Sequence, residues 1–508
     1  MTSTFHGLEM AKRALSTQQA ALYTTSHNIS NANTDGYSRQ RVNMSQINSM
    51  TSSREPGGMR SNVGSGVETG SIERIRDRFI DLQYRKEHGK VGYYEERAEA
   101  MNQMESIMNE PSDEGLSHIM DQFWDSIQDL SVNPEDSGAR AVVAQRAEAV
   151  TDTFNYVSNS LEDIRGDLKG QMEVTESDFN SMVNQINAVN REIAEIEPHG
   201  NVPNDLYDER DRLLDNLSKM ADINVTYEKS SGQPSDVAEG VATVTLNGVD
   251  EPVTLVDGSE FEVNHMHVNF DDNNDAQSFQ FYNPEEAEVI DGNLVGDSTD
   301  VAAIDYASTG SMLGLMEMNG FGDGEGYYNE MLTDLDQMAT SFAAEFNEIH
   351  SEGFDLNGQE GINDFFVFDG EAGAESIGVN GSIMDDPDLI AASASGDSGD
   401  GEHAIELAAA YTNHVDELGN RTSVKTHYES MIGQMGVVTQ EAYRMRDNSG
   451  VLRQQVEENR DSVSAVSLDE EMTNMIKFQH AYNAAARSMT AVDETIDRII
   501  NNMGLVGR

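Results

Sequence analysis

The sequence predicts a mainly α, elongated, multi-domain chain with a β-rich insertion: terminal helices paired as a coiled coil, a long helical bundle, and an outer β domain. Three observations carry that expectation. Both ends repeat apolar residues at alternating spacings of three and four, the signature of helices that pack along a seam. Helical periodicity dominates from about Asp77 to Ile196. Between residues 222 and 318 the period falls to two, with turn residues between the runs.

At the N-terminus, Leu8, Ala11, Leu15, Gln18, Leu22, Thr25 and Ile29 form the seam. The helix is expected from Ser3 to Ser30, with Thr2, Ser3 or Thr4 as N-cap. Asn31-Ala32-Asn33-Thr34-Asp35-Gly36 stops it, because these residues favour turns or left-handed backbone. Tyr37 to Ile75 is polar, with Gly57-Gly58 and Gly64-Ser65-Gly66, and reads as short strands and turns ahead of a helix from Arg76.

Two apolar runs follow, Val143, Ala147, Val150, Phe154, Val157, Leu161, Ile164 and Leu168, then Met172, Thr175, Phe179, Met182, Ile186, Val189, Ile193 and Ile196. Consecutive spacings of four at Ile164, Leu168 and Met172 unwind a supercoil locally. Unbroken from Gly138 to Ile196, this helix is about 90 Å long at about 1.5 Å per residue. That exceeds the width of an ordinary domain, so the molecule is expected to be elongated.

Pro198 and Pro203 close the long helix, and Leu206 to Met220 forms a shorter one. Ile223–Tyr227, Val241–Leu246, Phe261–Val263 and Phe279–Tyr282 read as strands, with Asn247-Gly248 and Asp257-Gly258 as turns. Helix returns at Tyr327 to Ser351, breaks over the Gly-rich stretch 353–401, and resumes at Glu402. Ser393 to Gly401 reads as a flexible loop. Ser467 and Glu470 fit a capping box at the start of the last helix. Its seam is Met475, Phe478, Tyr482, Ala485, Met489, Val492, Ile496, Ile499 and Met503. The chain is expected to divide into a terminal unit (1–40 with 467–508), a long-helix unit (41–221 with 319–466) and the β-rich insertion (222–318).

With 91 Asp and Glu against 32 Lys and Arg, the formal charge is −59. That excludes nucleic acid as a partner, since phosphate binding needs clustered cations, and disfavours an anionic membrane surface. The acid reads as a solvated surface spread along the chain, suited to a salty medium. There is no cysteine, hence no disulfide, thiolate metal site or cysteine nucleophile. No secretory signal is visible at the N-terminus. No run approaches the roughly 20 apolar residues that membrane insertion requires.

No catalytic, cofactor or metal residue is expected, and the chain does not read as an enzyme. His265-Met266-His267 puts two imidazoles on one strand face without a third ligand. Asp271-Asp272-Asn273-Asn274-Asp275 begins like a calcium loop but has Ala276 and Tyr282 where Gly and Glu are needed. Gly320, Gly322, Gly324 and Gly326 alternate with acids, which repel phosphate.

Ala20-Ala21-Leu22, then Asn28, Ile29, Ser30, Asn31, Ala32, Asn33 and Thr34, then Gly36 and Tyr37, resemble the N-terminal signature of flagellar rod, hook and hook-associated proteins. The continuation Ser38-Arg39-Gln40-Arg41-Val42 is similar to that of hook–filament junction members. Val466 to Glu471, including Leu468 and Glu470, with Phe478 to Arg487, resembles the closing motif of the same family. Gly353 to Gly358 with Phe365-Phe366 resembles an internal one. Asp35 departs from the frequent proline, although Asp-Gly still supports a turn.

The resemblance implies an extracellular, axial structural subunit of the bacterial flagellum at the hook–filament junction. It further implies export through the type III apparatus without a cleaved signal peptide. The implied partners are copies of the chain in a ring or helical layer, the hook protein, the second junction protein, and an export chaperone on the C-terminal helix. A hook or rod subunit is the nearest alternative, disfavoured by Arg39-Gln40 and by length. A surface adhesin or enzyme carried by the β insertion is another.

From the residues themselves, both ends are expected to be loose in a lone chain and to order between stacked copies. Ordering costs about 1–2 kcal/mol per residue in backbone entropy, which buried apolar area must offset. Such a contact is head to tail and propagates. On periodicity alone, such heptads more often describe a bundle within one chain than a seam between chains. Asn28 and Asn31 either bond across subunits or cap their own chain, and Asn33 reads as a turn residue.

Overall fold

A computed structural model describes residues 5–47, 66–108, 112, 115–290, 292–361, 364–415, 418 and 422–502. The cap candidates Thr2, Ser3 and Thr4, the turns at Gly57-Gly58 and Gly64-Ser65, and Met503 lie outside the described residues. The first helix, α1, is His6–Ser30, followed by an antiparallel hairpin of β1 (Gln40–Gln46) and β2 (Val67–Arg74). Then come α2 (Arg78–Met108), α3 (Leu116–Val132), α4 (Ser137–Ile196) and α5 (Asn204–Met220).

Strands β3 (Ile223–Glu228), β4 (Val241–Leu246) and β5 (Val253–Val256) form one antiparallel sheet in chain order. Strands β6 (His265–Phe270) and β7 (Ala276–Tyr282) form another with β10 (Thr299–Ala302), in the order β10-β7-β6. A small hairpin, β8 (Glu288–Ile290) and β9 (Asn293–Val295), lies between them in sequence. Helices α6 (Ser311–Asn319) and α7 (Tyr327–Glu352), the pair β11 (Phe366–Phe368) and β12 (Ile377–Val379), and α8 (Gly381–Asp385) and α9 (Glu402–Ala409) follow. Two long helices, α10 (Val424–Ser464) and α11 (Leu468–Asn502), end the described chain.

The 60-residue α4 is the organising element. Asp136 caps it by accepting from the Gly138 amide at 2.8 Å, and no proline interrupts it before Pro198. Its buried line begins on the expected residues from Val143 to Leu161, then Leu168 and Met172, with Ile164 only half-buried. Beyond Met172 it shifts to Phe179, Val183, Ile186, Asn190 and Ile193, leaving Met182 and Val189 at the edge. A straight helix of 3.6 residues per turn drifts in this way relative to a strict heptad.

Polar residues of α4 fasten both sheets. Asn180 donates to the Met266 carbonyl at 2.8 Å and accepts from its amide at 2.7 Å. Asn190 does the same for Ala242, at 2.7 and 3.0 Å. Glu176 accepts from the Val268 amide at 3.0 Å. Each side chain stands in for a neighbouring strand and satisfies backbone groups that burial would leave costly.

One buried core runs from α2 and α3 through α4 and both sheets to α7, α9 and α10. At its centre Phe123 packs against Trp124, Phe342, Phe346, Phe365 and Phe366, with centroids 5.1–6.4 Å apart. The Phe365-Phe366 motif thus belongs to the core. Asn347 holds it there by accepting from both amides at 2.9 Å.

Three expectations differ. Phe261–Val263 is not a strand: Phe261 has φ +60°, and the Asp257 side chain ties Ser259 and Glu260 into a turn. Ser393–Gly401 is not loose. The Asp400 carboxylate accepts from the Ala394 and Ser395 amides at 3.0 and 2.9 Å and from the Ser395 hydroxyl at 2.8 Å; these bonds, with that of the Glu402 amide, hold its carboxyl below the usual range. The Gly-rich stretch also contains β11, β12 and α8.

The Asp271–Asp275 segment is a docked hairpin turn. Arg165 and Lys169 of α4 hold it through Asp275 Oδ1 at 2.9 Å and Asn274 Oδ1 at 2.8 Å. His265 and His267 engage Asn184 and Glu176 respectively. Among the described residues, no group of three or more His, Asp or Glu side chains is placed to hold a metal ion. Nor is any described helix long and apolar enough to cross a membrane.

Candidate assembly site

Helices α1 and α11 pair within one chain. Gly7, near the start of α1, meets Val492 near the end of α11, while Asn28 at the far end of α1 reaches Glu471 in the first turn of α11. The pair is therefore antiparallel. The ends are thus not bare seams awaiting a neighbour, because each seam is partly covered by the other.

The cover is incomplete. Ala11 and Thr25 are buried, whereas Leu8, Leu15, Gln18, Leu22 and Ile29 are only half-buried. On α11, Met475, Phe478, Tyr482, Ala485, Met489, Val492 and Ile496 are all half-buried, and no apolar side chain of its described residues is fully buried. Leu468 is 47% exposed and Ile499 41%. Both overshoot the partner helix: Leu468 lies before Glu471, where α1 ends, and Ile499 lies beyond Val492, which faces Gly7. A second face of α1, buried at Thr17, Ala21, Thr24 and Asn28, packs on the β1–β2 hairpin.

The signature residues meet at the base of this pair. The ladder bond from the Ile75 amide to the Arg39 carbonyl (2.8 Å) leaves the polar groups of Gln40 pointing toward α1. Asn28 satisfies both, donating to the Gln40 carbonyl at 2.8 Å and accepting from its amide at 3.0 Å. Asn28 also accepts from the Tyr37 hydroxyl at 2.8 Å and donates to Glu471 Oε2 at 3.2 Å. Arg39 bridges Glu471 at 2.9 Å and Glu470 at 2.7 Å, so the Glu470 carboxylate serves Arg39.

Gln40 Nε2 donates to Asp205 at 3.2 Å. Asn31 caps α1 by donating to the His27 carbonyl at 3.1 Å. Asn33 is exposed, and Gly36 takes φ +76° in the turn. Asn28 and Asn31 therefore bond their own chain. Burial, with Asp208, Asp205 and Glu471 nearby, pushes the Tyr37 phenol well above its ordinary range.

Behind this joint lies an ion cluster that the sequence reading missed. Arg74 contacts Asp208 (2.7 Å), Asp211 (3.0 Å) and Glu239 (2.7 Å). Arg76 contacts Asp81 (2.8 Å) and Asp211 (3.1 Å), and Arg85 contacts Asp215 (2.8 Å). Arg460 joins α10 to Asp81 and Asp215 at 3.0 and 2.7 Å. Burial opposes charge on Arg74, Arg76 and Arg85, but the surrounding carboxylates outweigh it and keep all three protonated.

Asp211 likewise sits far below the usual carboxylate range, because Arg76, Arg74, Arg210 and Arg85 overcome its burial. The available signal was Asp208, Asp211 and Asp215 at helical spacing on one face of α5, opposite Arg74-x-Arg76. The arrangement clamps the terminal pair to the longer helices. It presents no nucleophile with an adjacent base.

Three family models match. Residues 101–366 match the helical domain of flagellar hook-associated protein FlgK. Residues 458–503 match the flagellar basal body rod FlgEFG protein C-terminal model, and residues 8–37 the flagella basal body rod protein model. The latter two fall on α11 and α1. The chain is similar to flagellar hook-associated protein 1 of Bacillus subtilis (strain 168), 43% identical with 100% of both chains covered. It is also similar to flagellar hook-associated protein 1 of Escherichia coli (strain K12), 23% identical over 97% of this chain and 98% of that one. The fold resembles the flagellar hook junction protein FlgK from Burkholderia pseudomallei, with TM-score 0.59, 13% identity, and 76% of this chain and 100% of that chain covered.

Proposed function

The chain belongs to the flagellar hook-associated protein 1 family, whose members are structural flagellar proteins, and on that premise we propose that it joins hook to filament by self-assembly through its terminal helices. The observation that carries this reading is the half-covered α1–α11 seam. Completing the burial of one half-covered side chain contributes about 1 kcal/mol. Association costs about 4–15 kcal/mol, so one contact is marginal. A copy with neighbours on both sides in a ring or helical layer gains the surplus.

In this reading the terminal unit (1–40 with 467–508) forms the axial layer. The long-helix unit (41–221 with 319–466) and the β-rich insertion (222–318) face outward. The hook protein lies below and the second junction protein above, outside the cell. An export chaperone covers the apolar face of α11 beforehand, because that face has no complete cover of its own.

Removing the gene from a motile cell tests the role. The expected result is hooks without filaments and flagellin shed into the medium, with both restored by the full chain and not by a chain carrying Phe478→Asp. Normal filaments in its absence overturn the reading.

A further inference from the structure

The acid is not spread evenly. Residues 109–423 carry 67 carboxylates against 10 Lys and Arg, net −57, while residues 1–108 and 424–508 together carry 24 against 22, net −2. From 230 to 420 there are 41 carboxylates and no Lys or Arg. Nearly all of the repulsion between two copies therefore comes from one part of the chain, and close contact is least opposed through the other.

Within the neutral part, α10 presents a solvent-facing line of Gly433, Val437, Arg444, Asn448, Val451 and Gln455, all exposed except where α10 meets α2 on its opposite side. One exposed carboxylate, Glu441, stands on this line between Val437 and Arg444. Val437 and Val451 are 65% and 67% exposed. Gly433 has open space where a side chain would stand, allowing close backbone approach. Arg444 makes no ion pair among the described residues, although carboxylates outnumber cations almost threefold.

We propose that this face of α10 is a lateral contact with a second copy of the chain, resting on the assembly reading above and extending it beyond the terminal helices. A second copy fits because two near-neutral stretches repel each other far less than two stretches of the −57 region do. Arg444 supplies a cation for a carboxylate of the neighbour. On α11, Met472 and Ile476 are also exposed. Lines 433 to 455 span about 33 Å at about 1.5 Å per residue.

The test measures self-association of the purified full-length chain by sedimentation across concentration, in high salt that screens the outer charge. The α10 variant is Val437→Asp with Val451→Asp. Val174→Asp is the control for an equally exposed valine in the anionic part (62% exposed), and Phe478→Asp is the seam control. All are checked for native Trp124 emission.

The α10 variant is expected to need about tenfold more protein per valine for half-maximal association, while Val174→Asp matches the parent. Parent-like association of the α10 variant with loss in Phe478→Asp overturns the α10 contact and leaves the terminal-helix reading standing. Parent-like association of both overturns both. Equal loss in Val174→Asp, or a parent that stays monomeric throughout, also overturns the α10 contact.

Discussion

Replacing Asn28 by alanine removes four hydrogen bonds from a side chain that is 1% exposed. The Gln40 amide and carbonyl lose the partner that completes them, and each orphaned buried group costs about 1–3 kcal/mol. Tyr37 keeps His27 at 3.0 Å and Glu471 keeps Arg39 at 2.9 Å, so these two losses are nearer 1 kcal/mol each. The total is about 4–8 kcal/mol, concentrated where the terminal pair joins β1.

Hydrogen exchange of the full chain reads this locally. Amides of residues 24–46 and of the first turns of α11 are expected to exchange much faster, while those of α4 and α7 stay protected. Asn28→Asp sharpens the test. It preserves shape, removes the donor, and sets a second carboxylate against Glu471. At neutral pH it is expected to be at least as damaging as alanine, and to recover as one of the two carboxyls takes up a proton in acid. Unchanged exchange around residues 28–40 in both variants refutes the assigned joint.

Three further perturbations follow from the same contacts. Arg74→Met leaves Asp208, Asp211 and Glu239 without their shared cation at a site 2% exposed; a loss of about 3–5 kcal/mol is expected in denaturant unfolding, and a loss below about 1 kcal/mol contradicts it. Phe123→Ala empties the aromatic centre, and a cost of about 3–5 kcal/mol is expected with a red shift of Trp124, which stacks on Tyr411 at 4.9 Å; unchanged emission and melting contradict that. His267 is raised above its ordinary pKa, first by its hydrogen bond to Glu176. Its contribution is therefore complete below the unfolded histidine value and fades as pH rises through the folded one. His267→Gln should accordingly cost more stability in mild acid than in mild alkali, and equal costs at both contradict the pairing.

The helical period was legible because it reports a whole face at once: every α11 seam position from Met475 to Ile496 is half-buried, and α4 runs unbroken over its expected span. The polar fastenings were not, since their partners are distant in the chain. Asn28 and Glu471 are 443 residues apart, and nothing in the neighbourhood of Asn180 or Asn190 announces a strand edge. Leu468 fits the seam by angle, but only the position of the end of α1 shows that it overshoots. The Ser393–Gly401 stretch looked loose by composition, because its order depends on where one carboxylate, Asp400, turns.

Amide exchange of α1 and α11, compared between the free monomer and the chain seated on purified hooks, tests the half-covered seam most directly. Exchange at residues 475–499 is expected to be fast in the monomer and slowed by at least about tenfold on the hook, equivalent to about 1.4 kcal/mol of added protection. Equal and strong protection in both states would mean that the pair is already complete within one chain, and that neighbouring copies add nothing to it.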